Sequence, residues 1–344
     1  MALILVLAIP AQTASAQLYI FTDLGTLPGT THSVATGINN RGDIVGWVQT
    51  GSGSNMVVEP FLYTNGKMQT LGTLGGNYAR ANGINDSGDI VGDSTTRCTP
   101  PGSRHAFLYS NGVMKDLGTL GNNHCQHGSW GMGINNLGHV VGGAETDTEE
   151  HAYLYSGEMV DLGTLGEGDF SVALGINNCG EVVGYSTDVS FPTPAPIRAF
   201  LWKNGRMRDL GTLHSGGSAA AIDINDTGQV VGESWTGFSS FWPHAFLYSN
   251  GKMSDLGTLG GFYSSARGIN ASGQVVGVSW NANNKEHAFL YYGNKMHDLN
   301  EVTVALPTDY ILTSANAIND VGQIVGYAFT DTGAAHAFLL APLP

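Results

Sequence analysis

Five histidines occupy the same place in a recurring frame, and they are the first residues of this chain that could do chemistry together. They stand in His105-Ala106-Phe107, His151-Ala152-Tyr153, His244-Ala245-Phe246, His287-Ala288-Phe289 and His336-Ala337-Phe338. Imidazoles bind a metal only where they converge on one point. Residues that return once per repeat are held apart by the repeat itself, so hydrogen bonding at a strand start is the expectation. A second column is acidic: Asp23, Asp116, Asp161, Asp209, Asp255 and Asp298, mostly in Asp-Leu-Gly-Thr-Leu. Equivalent carboxylates read as hydrogen-bond acceptors, at turns or between repeats.

Two further groups bear on metals. The turn Ile84-Asn85-Asp86-Ser87-Gly88-Asp89 carries side-chain oxygens, which calcium needs at alternating positions. Its other copies put Arg41, Leu137, Cys179 or Val321 where ligands would sit, so the Asn reads as a turn cap. Cys98, His124, Cys125 and His127 have the ligand types of a zinc site. In an oxidising compartment a Cys98–Cys125 disulfide is the preferred reading, leaving Cys179 as a free thiol. No cofactor is expected, with calcium and zinc as the alternatives.

Carboxylates also gather without repetition, at Glu145, Asp147, Glu149, Glu150, Glu167 and Asp169. They read as a solvated patch; glycoside hydrolysis would need two of them at a defined separation. Neither a Gly-x-Ser-x-Gly elbow, a His-Glu-x-x-His pair nor a P-loop occurs. Catalysis is therefore the less favoured reading.

These residues must be positioned by a repeat. Ile-Asn-x-x-Gly-x-(Val/Ile)-Val-Gly occurs seven times, with its Asn at 39, 85, 135, 177, 225, 270 and 319, a period of about 47 residues. Within each unit, short runs of β-branched and aromatic residues alternate with Asn and Gly turns, and no apolar period of helical length appears. In the unit Leu256–Leu299 the strands fall at 264–270, 274–279, 287–291 and 295–299. Phe289 and Tyr291 point to one side and Ala288 and Leu290 to the other, as in a sheet covered on both faces. The expected fold is an all-β, seven-bladed β-propeller of four-stranded antiparallel blades. A β-solenoid is the rival; its rungs are shorter and need no four-strand meander. Residues 18–24 match a fourth strand without its first three, and the last copy has three strands without a fourth. The N-terminal strand should therefore complete the last blade.

The chain has 344 residues, 49 of them Gly, with 42% hydrophobic and 12% charged residues and a net charge of −14. That balance opposes nucleic-acid binding, which needs a basic face. The apolar run from Ala2 to Ile9 followed by Ala14-Ser15-Ala16 reads as a signal peptide over residues 1–16, ahead of one domain at 17–344. No later stretch is long enough to insert in a membrane.

The unit Asp-Leu-Gly-Thr-Leu-Gly-Gly, then Gly-Ile-Asn-x-x-Gly-x-Val-Val-Gly, then His-Ala-Phe-Leu-Tyr resembles the HAF repeat of predicted extracellular bacterial proteins. Glu59-Pro60-Phe61 and Arg198-Ala199-Phe200 depart from it. The resemblance implies an extracellular or periplasmic, propeller-like protein and transfers no active site.

In a meander of this kind the first-to-second and third-to-fourth turns share one face, and here they are short and uniform. The second-to-third loops and the blade connections share the other face and vary, so function is expected there. Aromatic residues collect in those loops. Trp130, Trp235, Phe241, Trp242, Phe262, Tyr263 and Trp280 are the candidate ligand-binding residues, with Tyr78, Phe191 and Phe238 nearby. The reading is a monomeric binding module for a glycan or a surface protein. A polysaccharide-acting enzyme and a structural envelope protein are the alternatives.

Overall fold

The computed structural model describes residues 17–344 apart from 52, 99–102, 167, 188–195 and 238–241. The signal segment and Phe191, Phe238 and Phe241 lie outside the described residues. The rest form seven antiparallel four-stranded blades. Blade six is representative: Gly260–Ile269, Val275–Asn281, Glu286–Tyr292 and Lys295–Asp298 pair in that order.

The turns follow from residue type. Each Asn-x-x-Gly turn puts its Gly at positive φ, as at Gly42, Gly88 and Gly273, and the Gly N–H returns to the Asn carbonyl. Most third-to-fourth turns place Asn and Gly consecutively at positive φ, for example Asn65-Gly66 and Asn250-Gly251. Two such residues match the twist of a tight hairpin.

The core explains the motif. Phe61, Phe107, Tyr153, Phe200, Phe246, Phe289 and Phe338 are all fully buried, one per blade. Each contributes about 2 kcal/mol of apolar burial. The Gly of Val-Val-Gly lies opposite this ring in register, as Gly92 does to Phe107. A Cβ on Gly92 would lie 1.9 Å from the Arg80 carbonyl oxygen and 2.8 Å from the Phe107 ring. The glycine is therefore what lets the aromatic ring lie flat against the sheet. Phe289 and Tyr291 pack with Val231 and Ala245 of blade five, whereas Ala288 and Leu290 pack with Leu312 and Leu340 of blade seven. The two-sided burial expected from the sequence is present.

Closure is made by the N-terminal strand. Tyr19–Gly25 pairs antiparallel with Ala335–Pro342, the third strand of blade seven. Two features add to the expectation. Asp298 caps a single helical turn, Leu299–Val302, in place of the usual Leu-Gly-Thr-Leu connection. The following Thr303–Val304 pairs parallel with Tyr19 and Ile20, giving the last blade a fifth strand. A single parallel pair, Val58 with Tyr78, also links blades one and two.

Candidate functional site

The repeated polar residues resolve into three structural devices. The first is the histidine–aspartate pair, which joins the third and fourth strands of one blade. His105, His244, His287 and His336 each place Nδ1 within 3.0 Å of Asp116, Asp255, Asp298 and Asp23, and His151 does so with Asp161. The same carboxylates accept the backbone N–H two residues on, as Asp255 does from Gly257. They are thus turn acceptors, and their partner lies within the blade, not in the next one. Burial alone would raise Asp116, but hydrogen bonds from His105 and the Gly118 N–H outweigh it and hold it below the usual carboxylate value. Burial would likewise lower His105, and its bond to Asp116 raises it instead. The exceptions are consistent. Arg198 replaces His and still grips Asp209 at 2.7 Å. In blade one both partners change, to Glu59 and Thr70, and the pair is not formed there.

The second device is an asparagine ring. Within its own turn, the Asn39 side-chain oxygen accepts from the N–H groups of Arg41 and Asp43. Its Nδ2 donates to the Asn85 carbonyl of the next blade at 3.0 Å. Asn85, Asn135, Asn177, Asn225 and Asn270 repeat this, and Asn319 donates back to Asn39. Seven side chains close one circle. The turn cap was legible in the sequence; the link to the next blade was not. These carbonyls and amides are committed to one another, and no group of three or more His, Cys, Asp or Glu among the described residues is arranged to hold a metal.

The third device is the Cys98–Cys125 bond, with Cα atoms 5.2 Å apart, which ties the variable loop of blade two to the entry of blade three. Both sulfurs are consumed, so the four-ligand zinc set is not formed. Cys179 is free and exposed.

What remains is the variable face. Trp242, Tyr263 and Trp280 form a three-ring cluster where blades five and six meet. Trp242 and Trp280 centroids lie 4.7 Å apart, and Tyr263 is 6.0 Å from Trp280 and 6.4 Å from Trp242. Trp242 is 44% exposed, and the neighbouring Phe262 is 63% exposed. The buried Trp280 Nε1–H has no acceptor among the described residues. Burial raises the Tyr263 phenol, and Glu233 adds to that. Trp235 and Trp130 make no ring contact with this cluster. Trp130 lies over Gly143 in blade three, where an added Cβ would meet its Nε1 at 2.8 Å.

Two further groupings lie on this face. On blades one and two, Arg80 stacks on Trp47 at 4.3 Å and lies near Tyr78, while Arg104 pairs with buried Asp93 at 3.2 Å. In blade three, Glu145 and Glu150 are directly cross-strand. The acidic patch is thus not uniformly solvated: burial, then the Glu145 charge, pushes Glu150 up to about 7.

The inner strands surround an axial cavity of about 600 Å³. The residues three positions before each ring Asn line it: Thr36, Asn82, Met132, Leu174, Ile222, Arg267 and Asn316. This column differs in every blade except for the repeated Asn, and reading it down the repeats would have found the cavity wall. At its lower end the cavity meets a smaller one, about 180 Å³, bounded by the isoleucines and asparagines of the ring.

No protein-family model matches the chain, and no curated protein matches it significantly. Solved structures do match. The β-propeller domain of the Trilobed protease from Pyrococcus furiosus superposes with a TM-score of 0.52 at 8% identity, over 95% of this chain and 98% of that one. Acylaminoacyl peptidase from Pyrococcus horikoshii gives 0.52 at 11% identity, over 92% of this chain and 53% of that one, so this chain spans about half its length. The likeness is one of fold. The first neighbour is described as having an open velcro topology, whereas strand Tyr19–Gly25 closes the ring here. Among the described residues no helix is long and apolar enough to cross a membrane.

Proposed function

We infer that this propeller is a binding module acting outside the cytoplasm, and that it recognises a glycan through the aromatic cluster on its variable face. The observation that carries the reading is the set Trp242, Tyr263 and Trp280 with exposed Phe262 beside it. Apolar ring faces with a polar edge suit the C–H faces of a pyranose. The nearby Glu233 would meet hydroxyl groups. A disulfide between Cys98 and Cys125 fits an oxidising compartment, as the N-terminal signal and the HAF-repeat resemblance also imply. Glycan-array binding should be lost in Trp242→Ala and in Phe262→Ala while the melting temperature is kept. Binding that survives both substitutions would sink the reading, and capture of a surface protein by the same residues would turn it into the protein-partner form.

One observation favours a second reading. Glu145 and Glu150 are adjacent carboxyls of which one holds its proton near neutral pH, the division of labour that a hydrolase acting on polysaccharide uses. Reducing-sugar release that disappears in Glu150→Gln would establish it.

A further inference from the structure

The axial cavity has a two-sided wall that the glycan reading does not use. Met132, Leu174 and Ile222 come from three consecutive blades and make a continuous apolar arc. Next to this arc, on blade six beside the Ile222 blade, stands Arg267, the one cationic residue of the described wall. It is exposed to the cavity and makes no hydrogen bond, and no ion pair within 4.0 Å, with the described residues. Its charge is felt by the phenols of Tyr263 and Tyr327.

The wall contains one carboxylate, Asp223, and it does not neutralise Arg267. Its two oxygens accept the N–H groups of Ile224 at 2.8 Å and Ile269 at 2.9 Å. The polar residues beside Arg267 are also committed. Asn316 donates to Ala35 O, Thr36 to Ala81 O and Asn82 to Gly131 O, each a carbonyl of the next blade. Arg267 is therefore the wall group with hydrogen-bond donors to spare.

We propose that the axial cavity binds a small organic monoanion, with its carboxylate on the Arg267 guanidinium and its apolar body against Met132, Leu174 and Ile222. The volume lies in the range of pockets that enclose a small ligand. A guanidinium meets a carboxylate through two parallel N–H donors, which a single ammonium cannot reproduce. The apolar arc gains by covering a hydrocarbon chain and gains nothing from a sugar. With a single guanidinium and the Asp223 carboxyl in the same wall, the cavity suits one negative charge and not several.

Isothermal titration calorimetry of the full chain with octanoate, octylammonium and 1-octanol tests this, because the three share one apolar body. Octanoate should bind one to one, and octylammonium about tenfold more weakly or worse. Arg267→Met should weaken octanoate by about tenfold or more. It should leave 1-octanol unchanged. Arg267 makes no internal bond, so its replacement should not unfold the blade. Leu174→Phe narrows the cavity without altering charge and should weaken all three probes. Trp242→Ala should leave octanoate binding intact, which separates failure here from failure of the glycan reading. Equal affinity for octanoate and octylammonium, full octanoate affinity in Arg267→Met, or no saturable octanoate binding up to about 10 mM would each overturn the proposal.

Discussion

Burial on the variable face works against charge at single residues, and Glu150 is a clear case. Its folded carboxyl titrates at about 7, against an ordinary 4.5, because it is half-buried beside Glu145. The folded state therefore binds a proton more tightly than the unfolded chain. The stability this adds is full below pH 4.5 and is lost as pH rises through 7. Glu150→Gln should thus leave the melting temperature unchanged at pH 4 and raise it at pH 8. After allowing for solvent screening, the gain at pH 8 is on the order of 1 kcal/mol. The same effect of the substitution at both pH values would show that the fold does not raise the Glu150 carboxyl. The histidines behave differently, because each repeated one holds a carboxylate of its own blade through Nδ1. Their repetition along the chain already marks them as structural, and their geometry agrees.

At the scale of the element, the Asn-x-x-Gly turn does two jobs with one side chain. Asn135 accepts the N–H groups of Leu137 and His139 and donates to Asn177 O in the next blade. Asn135→Asp keeps the acceptor and loses the donor, and also sets a carboxylate against a carbonyl. It should cost about 2–3 kcal/mol in urea unfolding, with Asn135→Ala at least as costly. An equal cost for Asn135→Asp and a surface Asn→Asp control would mean the inter-blade link contributes nothing. The following residue forms an outer circle, in which Asn40, Asp86, Asn136 and Asn178 each donate a backbone N–H to the side chain of the next blade's residue. Ala271 and Asp320 continue it through Asp320 and Asn40. Ala271 has no side-chain acceptor for Asp226, so the circle is broken there. Ala271→Asn should restore it and add about 0.5–1 kcal/mol, read as a shift in the denaturant midpoint.

For the whole molecule, the joint between the chain's ends matters most. Tyr19 is fully buried, Asp23 accepts from Tyr310 and pairs with His336, and Leu343 N–H returns to Leu18 O. Removing residues 17–25 would leave strand Ala335–Pro342 with an unpaired edge, which invites association between molecules. Such a protein should elute as oligomers in size-exclusion chromatography and melt at lower temperature; a monomer with unchanged melting would show that closure does not stabilise the ring. The blade count, the strand order and this closure were all legible in the sequence, because they rest on local signals: two-residue periodicity, Asn and Gly at positive φ, and one Phe per unit facing one Gly. The functional surface was legible only as a face. Trp242, Tyr263 and Trp280 meet because blades five and six pack side by side, while Trp130 and Trp235, equal candidates by residue type, stay outside the cluster. Arg267 could be placed in the variable column before each ring Asn from the sequence, but it becomes a candidate only when seven inner strands enclose it in one cavity with three apolar residues. Repetition along the chain determined the architecture, since each blade repeats the same short-range forces. The site was decided in three dimensions, because it is built from the residues that do not repeat, and their neighbours are set by how the blades close.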